Sequence, residues 1–354
     1  MPITASDSIT LAVEHTRKQL FQPFRIGQWT KLAFVGLLAG ELGSNGCRSF
    51  NLPQHPGATT HPGFPGSLGI DPALLAALGA LLGALIIAGL AVGIIMMYVS
   101  SVMRFVLFDS IVTRECHIRW SWGRRLGTGW RFFVWKLLYV LLSLAGFAIV
   151  IGIPAVVAFS QGWFKAPSEH VPALVAGGII LFVVFVAFAV IVAVIFVLTK
   201  DFVVPQMALE NIDAMEGWRR LWAMMKVEKA AYAGYIGMKI VLAIVVGILI
   251  FIATVILGLI VVIPSIGIGV LAFLTGKSAG LTWNAETITL AIVVGCILLG
   301  AFLYLVSLIS VPAIVFFPAY SMYFFAGRYP QLHAVLYRSS PPAPVPANAT
   351  PSSA

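Results

Sequence analysis

The residues best suited to binding a ligand lie in two motifs in which a tryptophan is followed closely by Arg-Arg-Leu. Indole rings settle at the depth of lipid headgroups, and a basic side chain near an anionic membrane surface contributes about 1 kcal/mol of binding free energy. The candidate chemistry is therefore recognition of anionic headgroups. The plainer interpretation is that these segments only anchor the neighbouring helices. The candidate residues are Trp122, Arg124, Arg125, Trp218, Arg219 and Arg220.

Few ionisable residues fall in the apolar parts of the chain. Glu41 is expected toward the outer end of a short first apolar segment, Glu286 at the outer start of the last one, and Lys239 near the inner start of another. An ionisable residue inside a membrane is a candidate functional group, although all three can also reach an interface as helix-end residues. Glu41 and Glu286 are the intramembrane polar candidates.

The sequence offers no constellation for catalysis. All six histidines lie outside the predicted spans, and there is no metal-ligand spacing, nucleotide-binding loop or nucleophile–base pair. The three cysteines are widely spaced and form no disulfide framework. We therefore expect a protein that is not an enzyme and that needs neither a metal nor a cofactor.

The amino-acid composition indicates the fold class that must hold these residues in place. Of 354 residues, 60% are hydrophobic and only 10% are charged, whereas a soluble domain carries about 25% charged residues. Too few charges remain to cover a soluble globule of this size. This excludes a soluble enzyme, a disordered chain and a secreted disulfide scaffold, and it predicts an all-α polytopic membrane protein.

Long stretches without charge define the transmembrane helices, because about 20 mostly apolar residues cross the hydrocarbon core. Residues 27–44 form a shorter sixth candidate, which could instead be a re-entrant or interfacial segment. We predict one membrane domain over residues 1–335 and a disordered Pro/Ala-rich tail over residues 336–354. The five longer spans are predicted at about 72–100, 134–159, 172–199, 233–263 and 287–317.

The basic residues are distributed very unevenly across these six spans. Of the 22 lysines and arginines, all but Arg48, Lys165 and Lys277 fall on the side that holds both termini. Since Lys and Arg collect in cytoplasmic loops, both termini are predicted to be cytoplasmic. The formal charge of +9 then reflects orientation and not nucleic-acid binding. The predicted partner is the anionic inner leaflet, with a second copy or another membrane protein as a further candidate.

The two Trp-Arg-Arg motifs lie in similar loops, each with a Phe-Val pair and then an acid, Asp109 or Glu210. Amphipathic helices are predicted over residues 8–22, 104–130 and 203–229, and each is followed by two spans. The simplest architecture is therefore three repeated units, each an amphipathic helix plus a transmembrane hairpin.

A family resemblance rests on these motifs. The segment 203–226, with Pro205, Glu210 and the letters WRRL, resembles a loop of a broad set of uncharacterised prokaryotic multipass proteins, as does FQPFRIGQWTKL over residues 21–32. The pattern in residues 203–226 is also similar to the membrane domain attached to some glycerophosphodiester phosphodiesterases. The likeness covers most of residues 8–335 and implies a location in the plasma membrane of a prokaryote. It implies no activity, because the phosphodiesterase chemistry belongs to a separate barrel domain for which this chain has no room.

These observations predict a non-enzymatic integral membrane protein that contacts lipid or acts as a scaffold at the inner leaflet. The alternative is a transporter or channel for an apolar or lipid-like solute. A transporter would need a passage between the helices that reaches Glu41 or Glu286.

Overall fold

The computed structural model describes residues 4–22, 24–41, 72–163, 170–278 and 285–337, and apart from short turns these residues are helical. The predicted all-helical class is confirmed; most of the predicted tail, from residue 338 on, lies outside the described residues. The elements are α1 (Asp7–Phe21), α2 (Ile26–Ala39), α3 (Pro72–Thr113), α4 (Ile118–Ser160), α5 (Val171–Leu198), a π-helix (Thr199–Val203), α6 (Val204–Glu210), α7 (Ala214–Val227), α8 (Lys229–Ser278), α9 (Ala285–Ile309), α10 (Val311–Ala326) and α11 (Pro330–Leu336).

Five helical stretches within the described residues are long and apolar enough to cross a membrane. They correspond to the five longer predicted spans, so the chain is a membrane-embedded protein. The predicted first span is different, because α2 has 14 residues and extends only about 21 Å at 1.5 Å per residue. The spanning stretches are Gly79–Thr113, Ile118–Ser160, Val171–Glu210, Lys229–Leu271 and Thr287–Ala326.

The long helices are divided into a buried end and an exposed apolar end. In α3, residues 101–111 are buried, whereas most residues from 79 to 95 are exposed although they are apolar. We call the exposed apolar ends of α3, α4, α5, α8 and α9 the arms. The base comprises the buried ends of these helices together with α1, α2, the π-helix, α6, α7, α10 and α11. Apolar surface of this extent is suited to lipid contact.

Four of the five arms pair as two hairpins. Helix α4 packs against α5, and α8 packs against α9. In the first hairpin, the ring of Phe147 lies 5.2 Å from that of Phe185 and 4.8 Å from that of Phe188.

An aromatic cluster forms the centre of the base. Phe202 on the π-helix contacts Tyr232 and Tyr235 of α8 and Phe324 and Phe325 of α10, with ring centroids 5.0–6.0 Å apart. All five side chains are almost fully buried. Aromatic pairs of this kind contribute about 0.5–1.5 kcal/mol each beyond the burial of their area. The cluster therefore fixes the π-helix between α8 and α10.

Two of the three predicted amphipathic helices are divided by turns. The segment 8–22 coincides closely with α1, but 104–130 is split between the end of α3 and the start of α4, and 203–229 is split between α6 and α7. Arg114 and Asn211 adopt positive φ angles of 60° and 56° in the two turns. A left-handed residue ends an α-helix, so the prediction of one continuous helix in each segment is corrected to two.

The contact between α3 and α4 can be tested at two nearby glycines. A Cβ at Gly129 would lie 2.6 Å from the Val102 side chain and 3.2 Å from its Cα, whereas a Cβ at Gly127 would meet nothing within 4 Å. We expect Gly129→Ala to lower the free energy of unfolding by about 1–3 kcal/mol through overpacking. Gly127→Ala should raise it by about 0.5–1 kcal/mol, because alanine favours a helix. Thermal unfolding in detergent measures both, and equal effects would contradict the packing.

A buried histidine joins α1 to α10. The Nδ1 atom of His15 lies 3.0 Å from the hydroxyl of Tyr323, and its Nε2 atom has no hydrogen-bond partner within the described residues. Burial, assisted by the positive charge of Arg114, lowers the pKa of His15 to about 4. The imidazole is therefore neutral at neutral pH.

This histidine should make stability depend on pH. The unfolded chain takes up a proton on His15 near its ordinary pKa of 6.5, but the folded chain resists protonation down to about pH 4. Acidification therefore favours the unfolded state. The contribution of His15 to the free energy of unfolding should fall by about 2 kcal/mol from pH 7 to pH 5. His15→Gln should remove this part of the pH dependence in thermal melts. An unchanged slope would show that His15 titrates normally in the folded protein.

Candidate functional site

The second arginine of each Arg-Arg motif pairs with acids of the base, and only that of the first motif is buried. Arg125 binds Asp109 through Nε and Nη2, at 2.9 and 2.6 Å, and its Nη1 donates to the carbonyl oxygen of Ala208 at 2.6 Å. Arg220 binds Glu210 at 2.5 Å and Glu216 at 2.9 Å. Of these two predicted headgroup candidates, Arg125 therefore forms a buried ion pair, whereas Arg220 forms partly exposed pairs at the surface of the base.

The first arginine of each motif points outward. Arg124 is exposed, and its guanidinium lies 5.1 Å from the centre of the exposed Trp120 ring. The Arg219 side chain is 79% exposed and forms an ion pair with Glu216 at 2.8 Å. The first motif thus supplies one arginine to the interior and one to the surface, whereas in the second motif Arg219 is exposed and Arg220 is partly exposed.

The two tryptophans named from the motifs face inward. Trp122 is half-buried against the core, and the indole N–H of Trp218 donates to the hydroxyl of Thr199 at 3.0 Å. The exposed rings near these motifs are those of Trp120 and Trp222. Trp120 lies four residues before Arg124, and Trp222 lies three residues after Arg219. This helical spacing from the outward arginines is the sequence signal that identifies the two exposed rings.

Helix α7 carries a continuous outward face. Met215, Arg219, Trp222 and Lys226 are spaced by four, three and four residues, so they lie along one side of the helix. Met215 is 71% exposed and Trp222 is 56% exposed, and Lys226 is exposed as well. This outward face of α7 combines two apolar side chains with two basic ones, the composition of an interfacial helix.

The intramembrane candidate Glu41 lies in a buried ion cluster. Arg104 donates through Nη1 to Glu41 Oε1 at 3.0 Å and through Nη2 to the carbonyl oxygen of Ala39 at 2.6 Å. Lys200 pairs with the other carboxylate oxygen of Glu41. Glu41 is 1% exposed.

The expectation that Glu41 lies at the opposite end from the basic loops is wrong. Helix α2 runs along the buried end of α3, so that Gln28 donates to the carbonyl oxygen of Arg114 at 2.8 Å while Ala39 meets Arg104. Helix α2 then ends at Gly40, whose φ of 80° and N–H bonds to the last turn form a left-handed cap. Glu41 follows this cap and is held beside the base.

A second buried pair adjoins the first. Asp201, next to Lys200 on the π-helix, accepts a hydrogen bond from the Tyr235 hydroxyl at 2.9 Å and pairs with Lys239 of α8. We call Glu41, Arg104, Lys200, Asp201 and Lys239 the junction cluster. It lies where the arms leave the base, and it is the group that sequence reasoning missed. Only Glu41 and Lys239 had been singled out, and sequence spacing carries no information on partners so distant in the chain.

A small cavity opens beside this cluster. Its volume of about 30 Å³ holds about two water molecules. Its surface is mainly apolar, with aliphatic, aromatic and proline side chains beside the charged groups and one hydroxyl. Among the lining residues are Glu41, Arg104, Lys200, Asp201, Pro205 and Ser321.

Two further expectations from the sequence concern Glu286 and metal binding. Glu286 belongs to the first turn of α9, and its side chain lies outside the described residues. Within the described part of the chain, no group of three His, Cys, Asp or Glu side chains could hold a metal ion.

Comparison with known proteins gives one match. The model of a family of unknown function (DUF7544) matches residues 3–335. No curated protein and no solved structure matches the chain. The family match covers nearly the whole sequence but describes no activity.

Adjacent arginines of the first motif should respond differently to neutralisation. Arg125→Gln leaves Asp109 buried without its counter-charge, which costs about 3–5 kcal/mol. Arg124→Gln removes an exposed charge and its contact with Trp120, which costs less than about 1 kcal/mol. Unfolding of the two variants in the same detergent tests this. Similar losses would contradict the separation into an internal and an outward arginine.

Proposed function

The chain belongs to this family of unknown function, and we propose that it is a non-enzymatic integral membrane protein that binds anionic lipid headgroups at the inner leaflet. The binding surface is the outward face of α7, together with Trp120 and Arg124 at the start of α4. The exposure of Arg219 beside Trp222 carries the proposal. The rings would lie at the depth of the headgroups, with the basic groups against phosphates.

The proposed orientation places the base and both termini on the cytoplasmic side of a prokaryotic plasma membrane. Helix α1 packs against α10, and α11 follows α10, so the two ends of the described chain lie in the same base. The basic residues of α7 and of the start of α4 belong to this base as well. Their distribution supports an inner-leaflet location through the preference of Lys and Arg for the cytoplasm.

We further propose that the chain is built from three repeated units, each with two apolar segments after an amphipathic one. The two Arg-Arg motifs support a repeat, because in both the second arginine pairs with the preceding acid, Asp109 or Glu210, and the first arginine is exposed. Because α2 ends beside the base, residues 27–44 would form a re-entrant or interfacial segment in the place of the sixth crossing. The likeness to the membrane domain of glycerophosphodiester phosphodiesterases belongs to the same proposal and implies no hydrolysis.

Transport of an apolar or lipid-like solute is the second candidate. It is supported by the cavity that Glu41 lines. At about 30 Å³ this cavity is too small for such a solute, so transport would require the two hairpins to move apart. A scaffold role would instead place a second copy or another membrane protein against the arms.

Headgroup selectivity at Trp222 tests the main proposal. The full-length protein is placed in bilayers of zwitterionic and anionic lipid at a fixed ratio, with bromine on the acyl chains of one or the other. The difference in fluorescence between the unaltered protein and Trp222→Phe gives the signal of this one ring. We expect brominated anionic lipid to quench Trp222 more strongly than brominated zwitterionic lipid.

Neutralising the basic groups of the face should remove this preference. In Arg219→Gln/Lys226→Gln the ratio of the two quenching efficiencies should fall toward one, since each basic group contributes about 1 kcal/mol near an anionic surface. The matched control is Lys18→Gln, which alters an exposed lysine of α1 that pairs with Glu14. Equal quenching by both lipids in the unaltered protein would refute the proposal.

A further inference from the structure

The turn between α1 and α2 carries a group of exposed aromatic and apolar side chains. Phe21 is 52% exposed, Phe24 is 57% exposed and Ile26 is 65% exposed. The two phenyl rings stand edge-on to the indole of Trp29, with centroid distances of 5.6 and 5.5 Å. We call Phe21, Phe24, Ile26 and Trp29 the aromatic corner. Exposed apolar side chains that adjoin one another mark an interaction surface, whereas single ones do not.

The aromatic corner is held in place by contacts with the backbone of its neighbours. The indole N–H of Trp29 donates to the carbonyl oxygen of Leu20 at 3.0 Å. Gln28, the residue before it, donates to the carbonyl oxygen of Arg114 at the end of α3, at 2.8 Å. The rings are therefore positioned before any partner binds, and a preformed surface loses little conformational entropy on binding.

The last described residues of the chain lie near this corner. The ring of Tyr337 is 6.0 Å from that of Tyr323, whose hydroxyl lies 3.0 Å from His15. His15 precedes Phe21 by six residues of α1, which is about 9 Å of helix. The chain therefore passes Tyr337 at a distance on the order of 20 Å from the aromatic corner.

The sequence that follows Tyr337 has the composition of a ligand for aromatic surfaces. Residues 341–346 read PPAPVP, without a charged side chain, and Pro341 and Pro344 have the spacing PxxP. Proline-rich segments of this kind bind aromatic-lined surfaces, because their polyproline II conformation is already restricted before binding. At about 3.1 Å per residue, residues 338–346 can extend about 28 Å. The segment is therefore long enough to reach the corner.

We propose that residues 341–346 bind the aromatic corner in the polyproline II conformation, so that the chain covers these rings with its own C-terminal segment. The proline rings pack against Phe21 and Phe24. The exposed guanidinium of Arg25 supplies hydrogen-bond donors for the carbonyl oxygens of the segment. This interaction links the first helices of the base to the C-terminal segment. It uses no residue of the outward face of α7, so it can fail or succeed independently of lipid binding there.

The test measures the rate of disulfide formation within the full-length protein in detergent. The three native cysteines are replaced by alanine, and Gln22→Cys at the corner is combined with Ala347→Cys directly after the proline-rich segment. We expect a disulfide within one chain, which a non-reducing gel and mass spectrometry detect. The matched control combines Ala347→Cys with Val227→Cys. Val227 is 84% exposed and adjoins Glu228, which pairs with Arg328 just before α11. The control disulfide should form about tenfold more slowly, because binding raises the effective concentration only at the corner.

Two further variants separate binding from simple proximity. Phe24→Ala and Pro341→Ala/Pro344→Ala should each slow the disulfide at Gln22→Cys by about tenfold, because one removes a contacting ring and the other relaxes the bound conformation. The second variant changes no residue of the helices, so a folding defect cannot explain its effect. Equal rates at the two sites, or rates unchanged by both variants, would overturn the proposal. A disulfide between two chains would assign the corner to the segment of a second copy, and a fast reaction that is lost in anionic bilayers would assign it to lipid. Either result would also overturn the proposal.

Discussion

Two adjacent residues of opposite charge on a π-helix connect the parts of this protein. Lys200 reaches Glu41 at the end of α2, and Asp201 reaches Tyr235 and Lys239 on α8. A π-helix has a wider hydrogen-bonding turn than an α-helix and commonly occurs at functional positions. Here it turns neighbouring side chains toward different helices. Arg104 joins α3 to the same carboxylate, so four elements meet at a single network.

The network restricts which arrangements of the helices are stable. Apolar arms contact one another with little geometric preference, because lipid tails are as apolar as leucine. A buried ion pair is different: separating its partners leaves an uncompensated charge, which costs several kcal/mol. The charged groups of the base therefore specify how the hairpins leave it, and the aromatic rings around Phe202 fill the space beside the charges. The pair of Asp109 with Arg125 repeats this principle between α3 and α4.

The sequence predicted the elements whose signals are local. Uncharged length identified the five spans, and the spacing of apolar residues identified α1. The turns at Arg114 and Asn211 were missed because both positions are left-handed without a glycine, so the sequence carries no clear breaker there. The partners of Glu41 were missed for another reason. Arg104 and Lys200 lie 63 and 159 residues away, and periodicity says nothing about contacts over such distances.

The positive charge of the chain now divides into groups with different physical consequences. Arginines paired inside the base, such as Arg125, contribute to folding and carry no free charge toward lipid. Exposed groups, such as Arg219, face the surroundings and are screened by salt over about 8 Å at physiological ionic strength. The cations of the junction cluster are buried and pair with Glu41 and Asp201, and the low dielectric around these pairs strengthens every interaction that they make. Salt should therefore weaken lipid binding at the outward face of α7 while it leaves the buried ion pairs of the junction cluster largely unaffected, so ionic strength separates surface binding from the interactions that hold the fold.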